Sequence, residues 1–400
     1  MRFTESSALE RRREEENLEL GGQDGNKPPS TVGLRDRLAH FTWPWFACTM
    51  STGALAVVVA QTPNQFTGLQ TIGKIFFIAD VVLFSLFNIL MATRFFLKPK
   101  KLLLSLHHPV EGLFFGAYWV SIALILNCTQ LYDGPSTGPW LTKAMEVCFW
   151  LYCGVVFIVG VGQYYIFFQD ERLNVADAMP AWIFPIYPVL VVGPLAGILI
   201  QSQPTEAGWR MWIGAVALQG MGWAVAFIMY CMYMQRLMGA ALPSPSTRPG
   251  MFVSVGPAGY TATALFSLGM AAPNVVPADQ FTDSVPDGNF IKNLGVMAGF
   301  FLILFSFWFF CVSSVAVLTG VRRMSFTLNW WAFVFPNAGL TLAIIQAGSA
   351  LRSPAVNCIA SVLTVLLVGF WFLVAGFHGR ALWRGEILWP GKDEDKTMKE

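Results

Sequence analysis

The side chains that most often carry catalysis are few in this sequence, and their spacing does not suggest an active site. The four histidines are His40, His107, His108 and His378, and the seven cysteines are scattered singly along the 400 residues. No HExxH or CxxC pattern occurs, and no histidine pair has haem-ligand placement. We therefore expect a protein that is not an enzyme and that has no metal site and no cofactor.

Neutral hydroxyl and amide side chains suggest a different chemistry, because they recur inside long apolar segments. They are Thr49, Ser51, Thr52, Tyr118, Ser121, Tyr187, Ser254, Thr261, Asn337, Thr341 and Gln346. Such groups can line a conduit and donate hydrogen bonds to an anion. A proton relay would need carboxylates along that conduit, but Asp80 and Glu146 fall in other segments. The pattern favours a nearly neutral pathway, and it leaves Asp80 unexplained.

The elements that must position these side chains are membrane helices. Hydrophobic residues make up 55% of the chain and charged residues only 12%. About 20 apolar residues cross the hydrocarbon core of a bilayer as a helix. The sequence predicts an all-α membrane protein with ten such helices, at 42–60, 72–97, 109–128, 144–168, 180–201, 210–235, 249–272, 292–319, 326–348 and 354–378.

The two ends of the chain differ in composition from this ten-helix transmembrane transport domain, which we place at 41–380. Residues 1–40 are charged and poor in aromatic residues, as is typical of a disordered arm. Residues 381–400 form a short charged tail. We expect both ends to lie outside the membrane.

The distribution of lysine and arginine predicts the orientation. Ten helices place both termini on one side, and that side carries 21 of the 26 lysines and arginines. The opposite side carries only Lys74, Lys143, Arg210, Lys292 and Arg352. Cytoplasmic loops retain positive charge, so both termini are predicted to be cytoplasmic.

A repeat of five helical hairpins is indicated by two kinds of residue. Each of the five outer cations lies at the start of an even-numbered helix, and the prolines within the membrane lie in odd-numbered helices. These prolines are Pro44, Pro185, Pro188, Pro194, Pro257 and Pro336. Proline bends a helix and frees a carbonyl that must be satisfied by protein or water. We expect odd helices around a central pore and even helices outside, unless the prolines merely reflect their frequency in membrane helices.

Several separated motifs resemble one family. They are HFTWPWFACTMSTG at 40–53, PAWIFP at 180–185, RPGMF at 248–252, WAFVFPN at 331–337 and PGKDED at 390–395. In this order they are similar to the fungal malic acid transporters of the tellurite-resistance/dicarboxylate transporter family, which includes the plant slow anion channel and the yeast sulfite efflux pump. The resemblance implies five hairpins around a central pore and a homotrimer with one pore per subunit.

The resemblance also implies a gate. In the channel branch a phenylalanine on the ninth helix occludes the pore, and by that match the residue here is Phe335, next to Pro336. Its ring would block ions by its bulk and by dewetting. Without the resemblance, Phe335 would be read as an ordinary packing residue.

Candidate substrate contacts follow from the chemistry of a dicarboxylate, which needs cations or clustered donors. Arg248 is the first choice and Arg94 the second, although both could instead extend to lipid headgroups. His108 is a further pore candidate, and the neutral donors are Thr49, Ser51, Thr52, Asn337 and Gln346. At position 111 a basic residue is expected in the channel relatives, whereas this sequence has Glu111.

These observations predict transport of C4-dicarboxylates, malate with succinate and fumarate, across a fungal plasma membrane. Expelling a dianion from a cytoplasm that is negative by 100 mV gains about 4.6 kcal/mol, so membrane potential would drive export, whereas uptake would depend on acid pH. Partners are the bilayer and the anion, and no nucleic acid is expected. The alternatives are efflux of sulfite or another small anion, and a sensor that binds without transport.

Overall fold

The computed structural model describes residues 37–38, 40–134, 137–171, 173–277, 280 and 287–388. The predicted arm at 1–40 and tail at 381–400 lie largely outside the described residues, so their predicted disorder stays a prediction. Where described parts of the two ends meet, Arg37 Nε donates a hydrogen bond to the carbonyl of Leu388 at 3.3 Å.

Ten helices in the described residues are long and apolar enough to cross a membrane, and no strand occurs there. They are α1 Trp43–Gln61, α2 Leu69–Leu97, α3 Gly112–Asp133, α4 Pro139–Gln169, α5 Pro180–Ser202, α6 Thr205–Gly239, α7 Pro245–Val275, α8 Asp287–Leu318, α9 Leu328–Leu351 and α10 Pro354–Trp383. The prediction of an all-α, multi-pass membrane protein is confirmed.

A short helix, Lys100–His107, was not predicted. It joins α2 to α3, and its leucines at 102–104 are exposed next to two lysines. This pattern is typical of a helix that lies in the membrane interface.

Odd and even helices differ sharply in burial. In the odd helices 61–94% of the most apolar stretch is buried inside the protein, whereas in the even helices only 22–39% is buried. The exposed side chains of the even helices are large and apolar, such as Phe301 and Val365. Such apolar surfaces are suited to contact with the lipid tails of a membrane. The odd helices therefore form the interior and the even helices the periphery, as expected.

The odd helices pack against one another in a closed ring. Helix α1 contacts α3, α3 contacts α5, α5 contacts α7, α7 contacts α9, and α9 contacts α1. Each even helix packs on the odd helix that precedes it. Glycines permit these approaches: a Cβ atom on Gly116 would lie 1.9 Å from the carbonyl oxygen of Phe184, and one on Gly259 would lie 2.6 Å from the nitrogen of Leu340.

Every odd helix begins with a 3₁₀ segment: Trp43–Trp45, Gly112–Phe114, Pro180–Ile186, Pro245–Ser254 and Leu328–Phe333. Several prolines, among them Pro257, Pro194 and Pro336, lie in the first turn of the α-helical segment that follows a 3₁₀ segment or a break. The first turn has no intrahelical partner for a backbone N–H, so proline fits there without disrupting the helix. The expected mid-helix bends are therefore largely junctions between two kinds of helix.

Candidate functional site

Two cavities lie at opposite ends of the ring of odd helices. The N-side cavity, about 480 Å³, is lined by the first turns of all five odd helices, for example Met50 of α1, Phe114 of α3, Phe184 of α5, Val253 of α7 and Ala332 of α9. The C-side cavity, about 600 Å³, is lined by the later turns of the same helices. The two cavities therefore lie inside the same ring, and we call the line that joins them the path.

The walls of the C-side cavity are neutral and rich in side-chain amides. Its polar lining residues are Gln61, Asn127, Gln130, Gln201, Ser202, Tyr260, Thr263, Ser267, Gln346, Ser349 and Asn357. Gln346 Nε2 donates to Gln61 Oε1 at 2.8 Å and so joins α9 to α1. The sequence analysis named Gln346 among the neutral donors, and the structure places it on this wall.

Three aromatic rings separate the cavities. Phe335 is fully buried, stacks on Tyr260 with ring centroids 4.9 Å apart, and lies 5.3 Å from the ring of Tyr187. Tyr260 lines the C-side cavity, and Pro336, next to Phe335, lines the N-side cavity. We call Tyr187, Tyr260 and Phe335 the aromatic plug.

The aromatic plug is held by backbone contacts and by glycines. The Tyr260 hydroxyl donates to the Phe335 carbonyl at 3.1 Å, and the Tyr187 hydroxyl donates to the Val253 carbonyl at 3.2 Å. A Cβ atom on Gly256 would lie 1.7 Å from the Tyr187 hydroxyl, and one on Gly339 would lie 2.7 Å from the Tyr260 ring. These two glycines make room for the plug, and the sequence analysis did not identify Tyr260.

The hydroxyls named on α1 bind neighbouring helices and line neither cavity. Thr49 Oγ1 lies 2.8 Å from Ser121 Oγ of α3, and Ser51 Oγ donates to the Trp331 carbonyl of α9 at 3.1 Å. Thr52 Oγ1 accepts a hydrogen bond from Trp371 Nε1 of α10 at 3.0 Å. All three threonine and serine side chains are fully buried. They join helices and do not face the path.

Asn337 and His378 also lie within the packed interior. Asn337 Nδ2 donates to the Phe333 carbonyl at 2.9 Å, and its Oδ1 is buried with no partner among the described residues. His378 is buried and accepts a hydrogen bond from Trp331 Nε1 at 3.2 Å. Neither residue lines the two cavities.

Arg94 is engaged in a buried ion pair. Its guanidinium binds both carboxylate oxygens of Glu111, with Nη2 to Oε2 at 3.1 Å, and both side chains are fully buried. His108 Nδ1 accepts from the backbone nitrogens of Val110 and Glu111, at 3.3 and 3.0 Å, just before α3 begins. The acid at position 111 is thus the counter-ion of Arg94, and the pair joins α2 to α3.

Arg248 is also engaged, at the end of α8. Its Nη1 donates to the Ala316 carbonyl and to Thr319 Oγ1, and its Nε donates to the Pro243 carbonyl, each at 3.0 Å. A cation is favourable beside the carbonyls that end a helix. Arg248 lines neither cavity, so the first choice for a substrate contact is directed away from the path in this structure. Gly250 of the same motif does line the N-side cavity.

Arg236 was counted in the sequence analysis only for its charge, but it lines the N-side cavity. Its Nε and Nη1 atoms are buried and have no hydrogen-bond partner among the described residues. The sequence signal that could have identified it is its position in the last turn of α6, at the end where the odd helices begin.

The carboxylates considered for a proton relay differ in their surroundings. Glu146 is paired with Lys143 at 2.8 Å and lies 3.6 Å from Arg210. Asp80 of α2 is fully buried, its two oxygens have no partner among the described residues, and a Cβ atom on Gly53 would lie 2.7 Å from it. Neither carboxylate lines the two cavities.

Comparison with known proteins identifies the family to which the chain belongs. Residues 40–378 match the voltage-dependent anion channel family. The chain is 32% identical to the malic acid transport protein of Schizosaccharomyces pombe, covering 93% of this chain and 85% of that protein. It is 30% identical to a putative malic acid transport protein of the same yeast, covering 90% and 84%. It is 26% identical to a sulfite efflux pump of Trichophyton rubrum, covering 90% and 94%. With ten membrane helices and a match over most of its length, the chain belongs to the voltage-dependent anion channel family.

Proposed function

We propose that this protein transports C4-dicarboxylates, malate with succinate and fumarate, through the path between the two cavities. The observation that supports the proposal is that all five odd helices line both cavities, with the aromatic plug packed between the residues that line one cavity and those that line the other. Two relatives that are at least 30% identical over most of their length are named as malic acid transport proteins.

The N-side cavity suits an anion. The first turns of five helices surround it, and a helix N-terminus carries partial positive charge and free backbone N–H groups. The N-cap residues of the 3₁₀ segments that open these helices make no side-chain capping bond, although Trp43 N donates to Glu111 Oε1 at 3.4 Å. The backbone N–H groups that remain without a side-chain acceptor could replace part of the hydration shell of a carboxylate.

Phe335 is the proposed gate. Its ring fills the space between Tyr187 and Tyr260, and an apolar constriction of this kind excludes water as well as ions. Opening requires the ring to leave the path, either by rotation of the side chain or by movement of α9 at the junction before Pro336.

Export from the cytoplasm is the proposed direction. Among the described residues, most lysines and arginines lie at the end that holds the N-side cavity, so we assign this side and both termini to the cytoplasm of a plasma membrane. An anion captured there would leave through the neutral C-side cavity, and a negative cytoplasm would drive it outward by about 2.3 kcal/mol per charge at 100 mV.

A homotrimer is proposed on the resemblance alone. Each subunit would hold its own path, because the ring of odd helices is complete within one chain. The mass of the purified protein in detergent-free nanodiscs tests this assignment.

Labelled malate flux in proteoliposomes tests the function. The purified protein is reconstituted with an imposed potassium diffusion potential, and unlabelled succinate, fumarate or sulfite is added as competitor. Malate flux that follows the voltage and is reduced by succinate and fumarate is expected. If correctly folded protein in these vesicles carried no malate, the proposal would be contradicted.

Sulfite efflux is the second candidate, because three relatives at 24–26% identity are named as sulfite efflux pumps. The neutral C-side cavity would also accept a small inorganic anion. Sulfite flux without malate flux in the same vesicles would replace the first proposal by this one.

A further inference from the structure

We propose that Arg236 binds one carboxylate group of the substrate in the N-side cavity, before the substrate reaches Phe335. This inference rests on the proposed function and gives it a specific binding residue.

Arg236 is held in an unusual state for a membrane arginine. It lies in the last turn of α6 and lines the N-side cavity, and Nε and Nη1 are shielded from solvent with no acceptor among the described residues. An arginine at a helix C-terminus commonly binds the last carbonyls, but these two donors do not. Buried charged donors without acceptors are strongly unfavourable. An anion in the cavity would provide the missing acceptor.

The two arginines that the sequence analysis named as substrate contacts are already engaged. Arg94 is neutralised by Glu111, and Arg248 binds three acceptors around the end of α8. Among the lining residues of the two cavities, which all lie in the described part of the chain, Arg236 is the one cation. The positive charge available to a substrate on this path is therefore placed at a single point on the N-side.

The chemistry of the cavity favours a carboxylate attached to a short hydrocarbon chain. A guanidinium presents parallel donors that match the two oxygens of a carboxylate. Much of the remaining wall is apolar, with Leu113, Phe114 and Trp182 among its residues, and suits the carbon chain of the substrate. The amides of Asn174 and Asn329 line the same cavity and can donate to a second carboxylate or a hydroxyl.

One acidic residue, Asp177, lines the same cavity. It is exposed to solvent, and water and salt screen its effect on a bound anion. It makes no ion pair with Arg236 within 4 Å. It is therefore compatible with a carboxylate held by the shielded Nε and Nη1 atoms of Arg236.

The test compares three variants by the malate concentration that gives half-maximal efflux from loaded proteoliposomes. Arg236→Gln removes the charge, Arg236→Lys keeps the charge without the parallel donors, and Arg380→Gln removes an exposed arginine at the corresponding end of α10. We expect the half-maximal concentration to rise about tenfold or more in Arg236→Gln, to rise less in Arg236→Lys and to be unchanged in Arg380→Gln.

A half-maximal concentration in Arg236→Gln equal to that of the wild type, or a change confined to the maximal rate, would overturn the inference. Size-exclusion profiles check that each variant is folded. If Arg236→Gln does not fold, Arg236→Lys decides alone, and an unchanged value in that variant counts against bidentate binding. A wild-type protein that carries no malate would instead overturn the proposed function on which the inference rests.

Discussion

The two cavities of this protein are built from the same five helices but offer an anion different surroundings. The N-side cavity is formed by helix N-termini and holds an arginine with two donors that have no partner among the described residues, whereas the C-side cavity is formed by the later turns and holds amides and hydroxyls. Near the C-side, Lys74 is paired with Asp133, and Lys143 with Glu146. Helix dipoles favour an anion at the N-side and oppose it at the C-side.

This difference suggests a division of roles along the path. Strong attraction at one end permits capture and selection, and weak attraction at the other end permits release, because conduction requires that a bound ion also leaves. The aromatic plug lies between the two, and as the proposed gate it would control the rate without contributing charge. Variants that alter one region should leave the properties of the others unchanged.

The largest expected effect concerns the stability that the buried Arg94–Glu111 pair contributes to the end of the protein that holds the N-side cavity. Glu111→Gln leaves Arg94 buried without its counter-ion, and breaking a buried pair from one side destabilises a protein by about 3–5 kcal/mol. We expect a clear fall in the thermal unfolding midpoint of the purified protein. Glu206→Gln, which breaks the exposed pair with Arg210, is the matched control and should leave the midpoint unchanged. Equal midpoints for the two variants would show that the Arg94–Glu111 pair does not support this region.

The second prediction concerns the plug. Phe335→Ala removes the ring between the cavities, and we expect malate flux at saturating concentration to rise about tenfold, equivalent to about 1.4 kcal/mol of barrier. The measurement is the initial efflux rate per folded protein in proteoliposomes.

Phe333→Ala is the control for this experiment. Phe333 lies on the same helix but packs on Phe252 and Phe370 away from the plug, so its truncation creates a comparable cavity without opening the path. A similar gain in both variants would indicate general loosening of α9 in place of a gate.

The third prediction concerns the anchor of the plug. Tyr260→Phe keeps the ring that stacks on Phe335 and removes the hydroxyl that donates to the Phe335 carbonyl. A single hydrogen bond of this kind contributes about 0.5–1.5 kcal/mol, so we expect flux to rise by about two- to tenfold, no more than in Phe335→Ala. A flux below that of the wild type would mean that the hydroxyl serves the substrate and not the plug.

The sequence predicts the fold of this protein more accurately than it predicts the contacts of individual side chains. Helix number follows from apolar length, and the order of odd and even helices follows from the positions of prolines and outer cations, because both are periodic features. The expected bends were less accurate, since proline lies mainly in the first turns after the 3₁₀ segments.

The roles of individual cations could not be read in the same way. Arg248 and Arg236 lie at the same side of the membrane and are close in sequence, yet one binds the end of α8 and the other faces the cavity. The difference depends on which acceptors the folded chain brings within reach. Phe335 was identified through a resemblance, and its partner Tyr260 is explained only by the space that Gly339 leaves.

The smallest expected effect is at the C-side. Gln346→Ala removes the hydrogen bond to Gln61 and one of many amides in this wall, so the remaining donors and water can compensate. We expect the half-maximal malate concentration to change by less than about threefold, equivalent to about 0.6 kcal/mol. The comparison with Arg236→Gln in the same vesicles measures the asymmetry of the path directly. If Gln346→Ala raised the half-maximal malate concentration as much as Arg236→Gln, selection would be shared between the two cavities. The proposed division into capture and release would then be wrong.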